Sequence, residues 1–167
     1  MRYLFLFLIP LSLFADEQRV LVSGMTIHEK RNDRFGEKYN GLNYGAGYEY
    51  NFFNEYKKAY FGTNFLLLND SFENPQFSIG AGHYFRFDTG TVDTSVGLSG
   101  FIGWKKIYDD NDLGRDDGNY GLTGGIAPAV MLYYQNFSIN FMYVPSIKFK
   151  DIDITGFLFV YFSYKIR

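Results

Sequence analysis

Beyond residue 15 the chain alternates apolar and polar positions with a period of two almost throughout, the spacing of strands with two unlike faces. From 92 to 104, Val92, Val96, Leu98, Ile102 and Trp104 share one face, and Asp93, Ser95, Gly97, Ser99 and Gly103 share the other. From 42 to 52, Leu42, Tyr44, Ala46, Tyr48, Tyr50 and Phe52 alternate with Asn43, Gly45, Gly47, Glu49 and Asn51. Leu158, Val160, Phe162, Tyr164 and Ile166 form a last apolar row. A soluble sandwich also alternates, but its buried face seldom carries so many glycines together with Glu and Asn. Small and polar residues inside, with aromatic and aliphatic residues outside, suit a barrel in lipid.

Eight such segments are predicted, at about 19–29, 40–52, 57–69, 76–87, 91–104, 119–134, 137–145 and 153–166. Short turns fall near Phe53-Asn54-Glu55, Asp88-Thr89-Gly90 and Gln135-Asn136, and longer charged loops at 30–39, 70–75, 105–118 and 146–152. The expected fold is all-β: an eight-stranded antiparallel up-and-down transmembrane β-barrel. Its short turns and both chain ends face the periplasm, and its long loops face outward. The expected location is the bacterial outer membrane.

Composition sharpens this picture. The 167 residues suit one domain, aromatics make up 21% of them, and Trp occurs once. Mean hydropathy is −0.16, too low for a helical membrane protein and natural for alternating strands. A net charge of −2 offers no basic surface for nucleic acid. The absence of Cys excludes disulfides, thiolate metal sites, a Cys nucleophile and a lipoprotein anchor. Two His make a protein-built zinc site improbable, and neither a metal nor a cofactor is expected. Residues 1–15 read as a signal peptide: Met1-Arg2, an apolar stretch from Tyr3 to Phe14, and Ala15 before the cut, with Leu13 an imperfect fit. Residues 16–167 would then be the barrel.

Several features carry two readings on sequence alone. Gly45, Gly47, Gly80, Gly82, Gly97 and Gly103 either relieve wall curvature or leave room for a slender ligand, which Leu66, Leu68, Tyr84 and Phe101 on the same face would make partly apolar. Pro128 and Pro145, in strands six and seven, either end or bulge those strands or leave a gap in the ladder where lipid passes sideways. The loop containing Asp109, Asp110, Asp112, Asp116 and Asp117 reads as a solvated loop, with a divalent cation as the alternative. His83 falls on the outward face by parity. His28, at the outer end of strand one, shares a rim with Asp70 and Ser71, at the outer end of strand three. A histidine base, an acidic orienter and a serine hydroxyl are the ingredients of acyl transfer, although rim histidines and Asp-Ser loops are also ordinary.

Taken together, Thr26-Ile27-His28 with Asn32-Asp33-Arg34-Phe35, Asp70-Ser71-Phe72, Tyr143-Val144-Pro145 with Pro128, and the aromatic last strand resemble the outer-membrane phospholipid:lipid A palmitoyltransferase family. The resemblance implies an eight-stranded barrel with an interior hydrocarbon pocket and lateral gaps that admit lipid. It implies an enzyme that moves an acyl chain, palmitoyl in most members, from a glycerophospholipid donor to the lipid A of lipopolysaccharide in the outer leaflet. Its catalytic His, Asp and Ser fall on His28, Asp70 and Ser71, and Pro128 and Pro145 mark a lipid-access gap. In that scheme His28 is the general base, Asp70 orients it, and Ser71 is a nucleophile or a polar stabiliser. Lys30, Arg31, Arg34 and Lys38 are candidates for lipid phosphates or plain loop charges. The chain departs from the family in lacking an amphipathic helix before strand one, in a shorter first loop, in an open register around 78–83, where acyl length is set, and in ending on Ile166-Arg167. The expected state is a monomer in the outer-membrane bilayer. Competing readings are a non-enzymatic structural or adhesive barrel, and a lipid A deacylase, whose histidine motif near the C-terminal strands is missing here.

Overall fold

The computed structural model describes residues 15–33, 35–54, 56, 58–108, 113–114, 116–149 and 152–167, with the side chains of 23, 147–149 and 152–154 left aside. Apart from Ala15, the signal-peptide segment lies outside the described residues, as do Arg34, Asp109, Asp110 and Asp112.

Eight strands close into one antiparallel barrel in the order β1-β10-β7-β6-β5-β4-β3-β2. They are β1 (Glu17–His28), β2 (Leu42–Phe53), β3 (Ala59–Asn69), β4 (Pro75–Phe87), β5 (Asp93–Ile107), β6 (Asn119–Tyr134), β7 (Phe137–Val144) and β10 (Phe157–Lys165). β8 (Ile147–Phe149) and β9 (Ile152–Ile154) form a separate hairpin in the loop between β7 and β10. Every neighbour but one is the next wall strand in sequence, and the β1–β10 seam closes the ring from Arg19↔Lys165 to His28↔Phe157. Both chain ends therefore lie on the side of the short turns.

Three predicted boundaries move. The last segment, read as 153–166, divides: Ile152–Ile154 pairs with β8, and the wall strand begins at Phe157. The cause is Gly156, packed so closely against Ser146 and the Glu29 carboxylate that a Cβ would overlap both. Strand seven stops at Val144, so Pro145 follows the strand instead of lying in it, as a residue without an N–H must where a ladder needs donors. Strand five runs on to Ile107, paired with Asn119, which places Lys105 in the wall and not in a loop.

Most faces follow the alternation, although Tyr50 and Val160 of the outer rows are buried, at 6% and 7% exposure. Leu98, Ile102, Leu122, Ile126, Leu67 and Tyr44 stand exposed on the outer surface, a continuous apolar coat that only hydrocarbon satisfies. His83 is likewise on the outside, edge-on to Phe85. The chain is an outer-membrane β-barrel.

The inside is filled in layers. Near the short turns, Arg19 is 1% exposed and donates to Glu17 Oε1 (2.7 Å), Ser163 Oγ (2.8 Å) and the Asn136 carbonyl (3.0 Å), with its guanidinium over the Tyr133 ring. Lys165 reaches Glu17 at 3.0 Å, and Arg86 pairs with Asp93 at 2.9 Å. Below this network the barrel opens into a vestibule of about 860 Å³. Above it, Tyr60, Tyr84, Met131 and Tyr133 form one layer, and Leu21, Phe159 and Tyr161, backed by Leu66, Leu68 and Met142, form the next. The inward glycines are filled by their neighbours' side chains. Tyr84 lies over Gly82 and Gly97, and Leu68 and Leu66 lie over Gly45 and Gly47.

Trp104 is 48% exposed on the outer wall of β5. Its fluorescence in vesicles is expected to be quenched by brominated acyl chains and little by acrylamide; the reverse result would place this wall in water. Arg19→Ala leaves the buried Glu17 without its closest partner and should cost about 3–5 kcal/mol, read from urea unfolding in lipid.

Candidate functional site

One irregularity in β1 decides where His28 points. Glu17, Arg19 and Leu21 face inward, so strict alternation would bring Ile27 inside and turn His28 to lipid. Between Val22 and Gly24 the register shifts against both neighbours, Val22 pairing with Phe162 and Gly24 with Tyr161. This bulge at Ser23 resets the parity. Gly24, Thr26 and His28 then continue the inner row, and Ile27 is exposed.

Ser71 comes from the tight turn between β3 and β4. Asp70 builds that turn: its Oδ1 accepts from the Phe72 and Asn74 amides, each at 2.9 Å, and its own amide donates to the Asn74 carbonyl at 2.8 Å. Glu73 takes a positive φ of 67° to complete it. The first loop is tied to this turn by the Asn40 amide, which donates to the Ser71 carbonyl at 3.1 Å. Asp33 caps that loop by the same device, with Oδ1 accepting from the Phe35 and Glu37 amides.

The result is a hydrogen bond of 2.8 Å between His28 Nε2 and Ser71 Oγ, across residues far apart in sequence. The imidazole is stacked on Tyr39 with ring centres 3.8 Å apart, and Phe157 packs at 5.9 Å. Asp70 is adjacent but does not orient the imidazole. His28 Nδ1 has no hydrogen-bond partner among the described residues, nor does Asp70 Oδ2, and both atoms are buried. The predicted trio thus resolves into a joined pair, His28 and Ser71, and a turn-building carboxylate.

Two further features were not anticipated. Tyr39, Phe35, Phe72 and Tyr108 pack edge to face into an aromatic cap over the pair, with centre separations of 4.9–6.4 Å. Each sits in a stretch read as loop, where periodicity carries no signal. Lys105 projects from the inner row of β5 at the same end, close enough to Asp70 and His28 for its charge to act on both. Its signal was present, since the parity of Ser95, Ser99 and Gly103 extends to it. Behind the cap, Glu29 accepts from Tyr143 Oη at 2.7 Å and from Ser146 Oγ, and these bonds hold its carboxyl below the usual range.

The wall is also incomplete at the outward end of β6, across the ring from β1 and the β3–β4 turn. β6 pairs with β7 only from Ala129↔Met142 to Tyr134↔Phe137. Pro128 sits where the ladder stops, and the half of β6 from Asn119 to Pro128 pairs with β5 alone. Gly125, on the inner row, is exposed through this opening. The interior beneath His28, by contrast, is closed. Between Gly24, Gly45, Leu66, Leu68, Phe159 and Tyr161 only about 10 Å³ remains, space for about one water and not for a hydrocarbon chain. The cavity reading of the glycines is therefore overturned: Tyr84 fills the space at Gly82 and Gly97, Leu66 and Leu68 at Gly47 and Gly45, and Asn64 at Gly80.

By sequence the chain matches no known protein family and no curated protein. Among solved structures it is similar to Neisserial surface protein A, at 14% identity over 90% of this chain and 96% of that one, with a TM-score of 0.49. It is also similar to Ail of Yersinia pestis, determined in a phospholipid bilayer nanodisc, at 18% identity over 90% and 99%, TM-score 0.45. The N-terminal β-barrel domain of Pseudomonas aeruginosa OprF gives 10% identity over 91% and 99%, TM-score 0.46. These likenesses concern the barrel shape alone.

Proposed function

We propose that the chain is an acyltransferase of the outer leaflet, moving an acyl chain from a glycerophospholipid to the lipid A of lipopolysaccharide. The observation that supports this is the 2.8 Å contact of His28 Nε2 with Ser71 Oγ at the outward rim, the spacing of a nucleophile and its base. In this reading Ser71 Oγ attacks the donor's ester carbonyl carbon and its proton passes to His28 Nε2. The carbon–oxygen bond to glycerol breaks, and that proton leaves with the glycerol oxygen. A lipid A hydroxyl then attacks the acyl-serine ester, its proton passing through His28 back to Ser71. Asp70 serves by shaping the turn that presents Ser71. The donor's chain lies against the lipid-facing apolar wall, since the space among Leu66, Leu68, Phe159 and Tyr161 beneath His28 admits about one water.

The second reading is a non-enzymatic barrel that presents its loops. The filled interior favours it, because a shell of this kind needs no pocket.

Mass spectrometry of lipid A from cells with and without the protein separates the two. Gain of one acyl mass is expected, lost in His28→Ala and in Ser71→Ala while the barrel still folds. An unchanged lipid A would leave the presenting shell, and a loss of acyl mass would indicate a deacylase. Asp70→Asn keeps the Oδ1 acceptor and should retain the turn and most of the activity. Asp70→Ala removes two hydrogen bonds and should lower stability by about 1–3 kcal/mol together with activity. Strong loss in Asp70→Asn with unchanged stability would return Asp70 to a direct role on the imidazole.

A further inference from the structure

Lys105 has no part in the reaction above, and the Asp70 carboxylate is the charge within its range. The lysine stands half-buried on the inner row of β5, opposite Gly121, which offers no side chain to cover it. The pairs Phe77↔Trp104 and Asn69↔Pro75 set it one strand from the turn that carries Asp70 and Ser71, at the mouth where Ser71 meets its substrate. Asp70 gives Oδ1 to the turn, and its Oδ2 hydrogen-bonds nothing among the described residues. Lys30, Arg31 and Lys38, the loop cations first considered for lipid phosphates, are all exposed. Their charges act through water and are screened by salt, whereas a half-buried ammonium is screened much less.

We propose that Lys105 recognises the phosphate diester of the donor and so sets the substrate class of the site as glycerophospholipid rather than neutral glyceride. The inference rests on the acyl-transfer reading and adds its headgroup specificity. In a glycerophospholipid the scissile ester and the phosphate hang on one three-carbon unit. An ester held at Ser71, in the β3–β4 turn, therefore leaves its phosphate near the mouth of β5, one strand along the wall. A compact ammonium suits a phosphate oxygen as a point charge. A diacylglycerol presents a hydroxyl there, which brings no negative charge to the ammonium.

The test compares purified wild type, Lys105→Met and Lys105→Arg in mixed micelles, with lipid A as acceptor. The donors are phosphatidylglycerol and diacylglycerol with the same acyl chains. Wild type should prefer the phosphodiester. Lys105→Met should lower that preference about tenfold to a hundredfold, through a higher KM for the phosphodiester. Lys105→Arg should restore most of the preference. An unchanged ratio in Lys105→Met, or an equal fall in kcat for both donors, overturns the proposal. A folded wild type that turns over neither donor refutes the acyl-transfer reading instead. Equilibrium binding of short-chain phosphatidylglycerol then decides Lys105 by itself: weaker binding to Lys105→Met upholds its phosphate contact, and equal binding rejects it.

Discussion

Closure of the sheet is the constraint on which the rest depends. In hydrocarbon no water can take an unpaired amide, so the first and last wall strands must find each other along their whole length. The β1–β10 seam does this over Arg19–His28 against Phe157–Lys165. Closure explains why β8 and β9 are not wall strands. They lie outside the ring and satisfy each other, which the loop region allows and the membrane does not. It also leaves a gap above Ala129↔Met142, at the outward end of β6, where Pro128 withholds a donor.

Closure to eight strands leaves a narrow interior, and polarity decides how it is filled. Arg19, Glu17 and Lys165 are costly to bury singly, and they are retained because each has a partner within hydrogen-bond reach. Glu49, fully inside the wall, accepts from Asn51 Nδ2 at 2.7 Å. The glycines serve this packing. A Cβ at Gly82 would strike the Tyr84 ring, so the small residues make room for tyrosines, which in turn hydrogen-bond each other, as Tyr60 and Tyr133 do at 2.6 Å.

Much of this was legible in the sequence, for a physical reason. A wall strand between lipid and a polar core must alternate, so the faces of β2 follow directly from Leu42 to Phe52. Parity arguments fail where the alternation is locally broken. Nothing in Val22-Ser23-Gly24 marks a bulge to a strict count of two, yet His28 faces Ser71 only because of it. The extent of β5 was missed because Lys105 and Lys106 look like loop charges, although in a barrel an inward lysine beyond the apolar belt is unremarkable. The pairing of His28 with Ser71 was suggested by shared rim position, but the orienting role given to Asp70 was not realised, because its oxygen is committed to backbone amides of its own turn. The cap of Tyr39, Phe72, Phe35 and Tyr108 had no periodic signal at all.

The division of the molecule into a sealed lower half and a loosened upper one has a consequence for what it can do. Among the described residues, polar layers and stacked tyrosines fill the interior above the vestibule, and the His28–Ser71 pair stands at the outward mouth. There the parts are of a different kind: a bulge that re-aims a histidine, a capped turn that presents a serine, an inward lysine, and a wall opening across the mouth from them. The turn apart, these features do not add to barrel stability. The bulge interrupts a ladder, His28 Nδ1 and Asp70 Oδ2 are buried without hydrogen bonds, and β6 leaves half its edge unpaired. Departures from the best-paired arrangement that converge on one rim are the pattern of a site under functional demand, since a purely structural shell would gain by removing each of them.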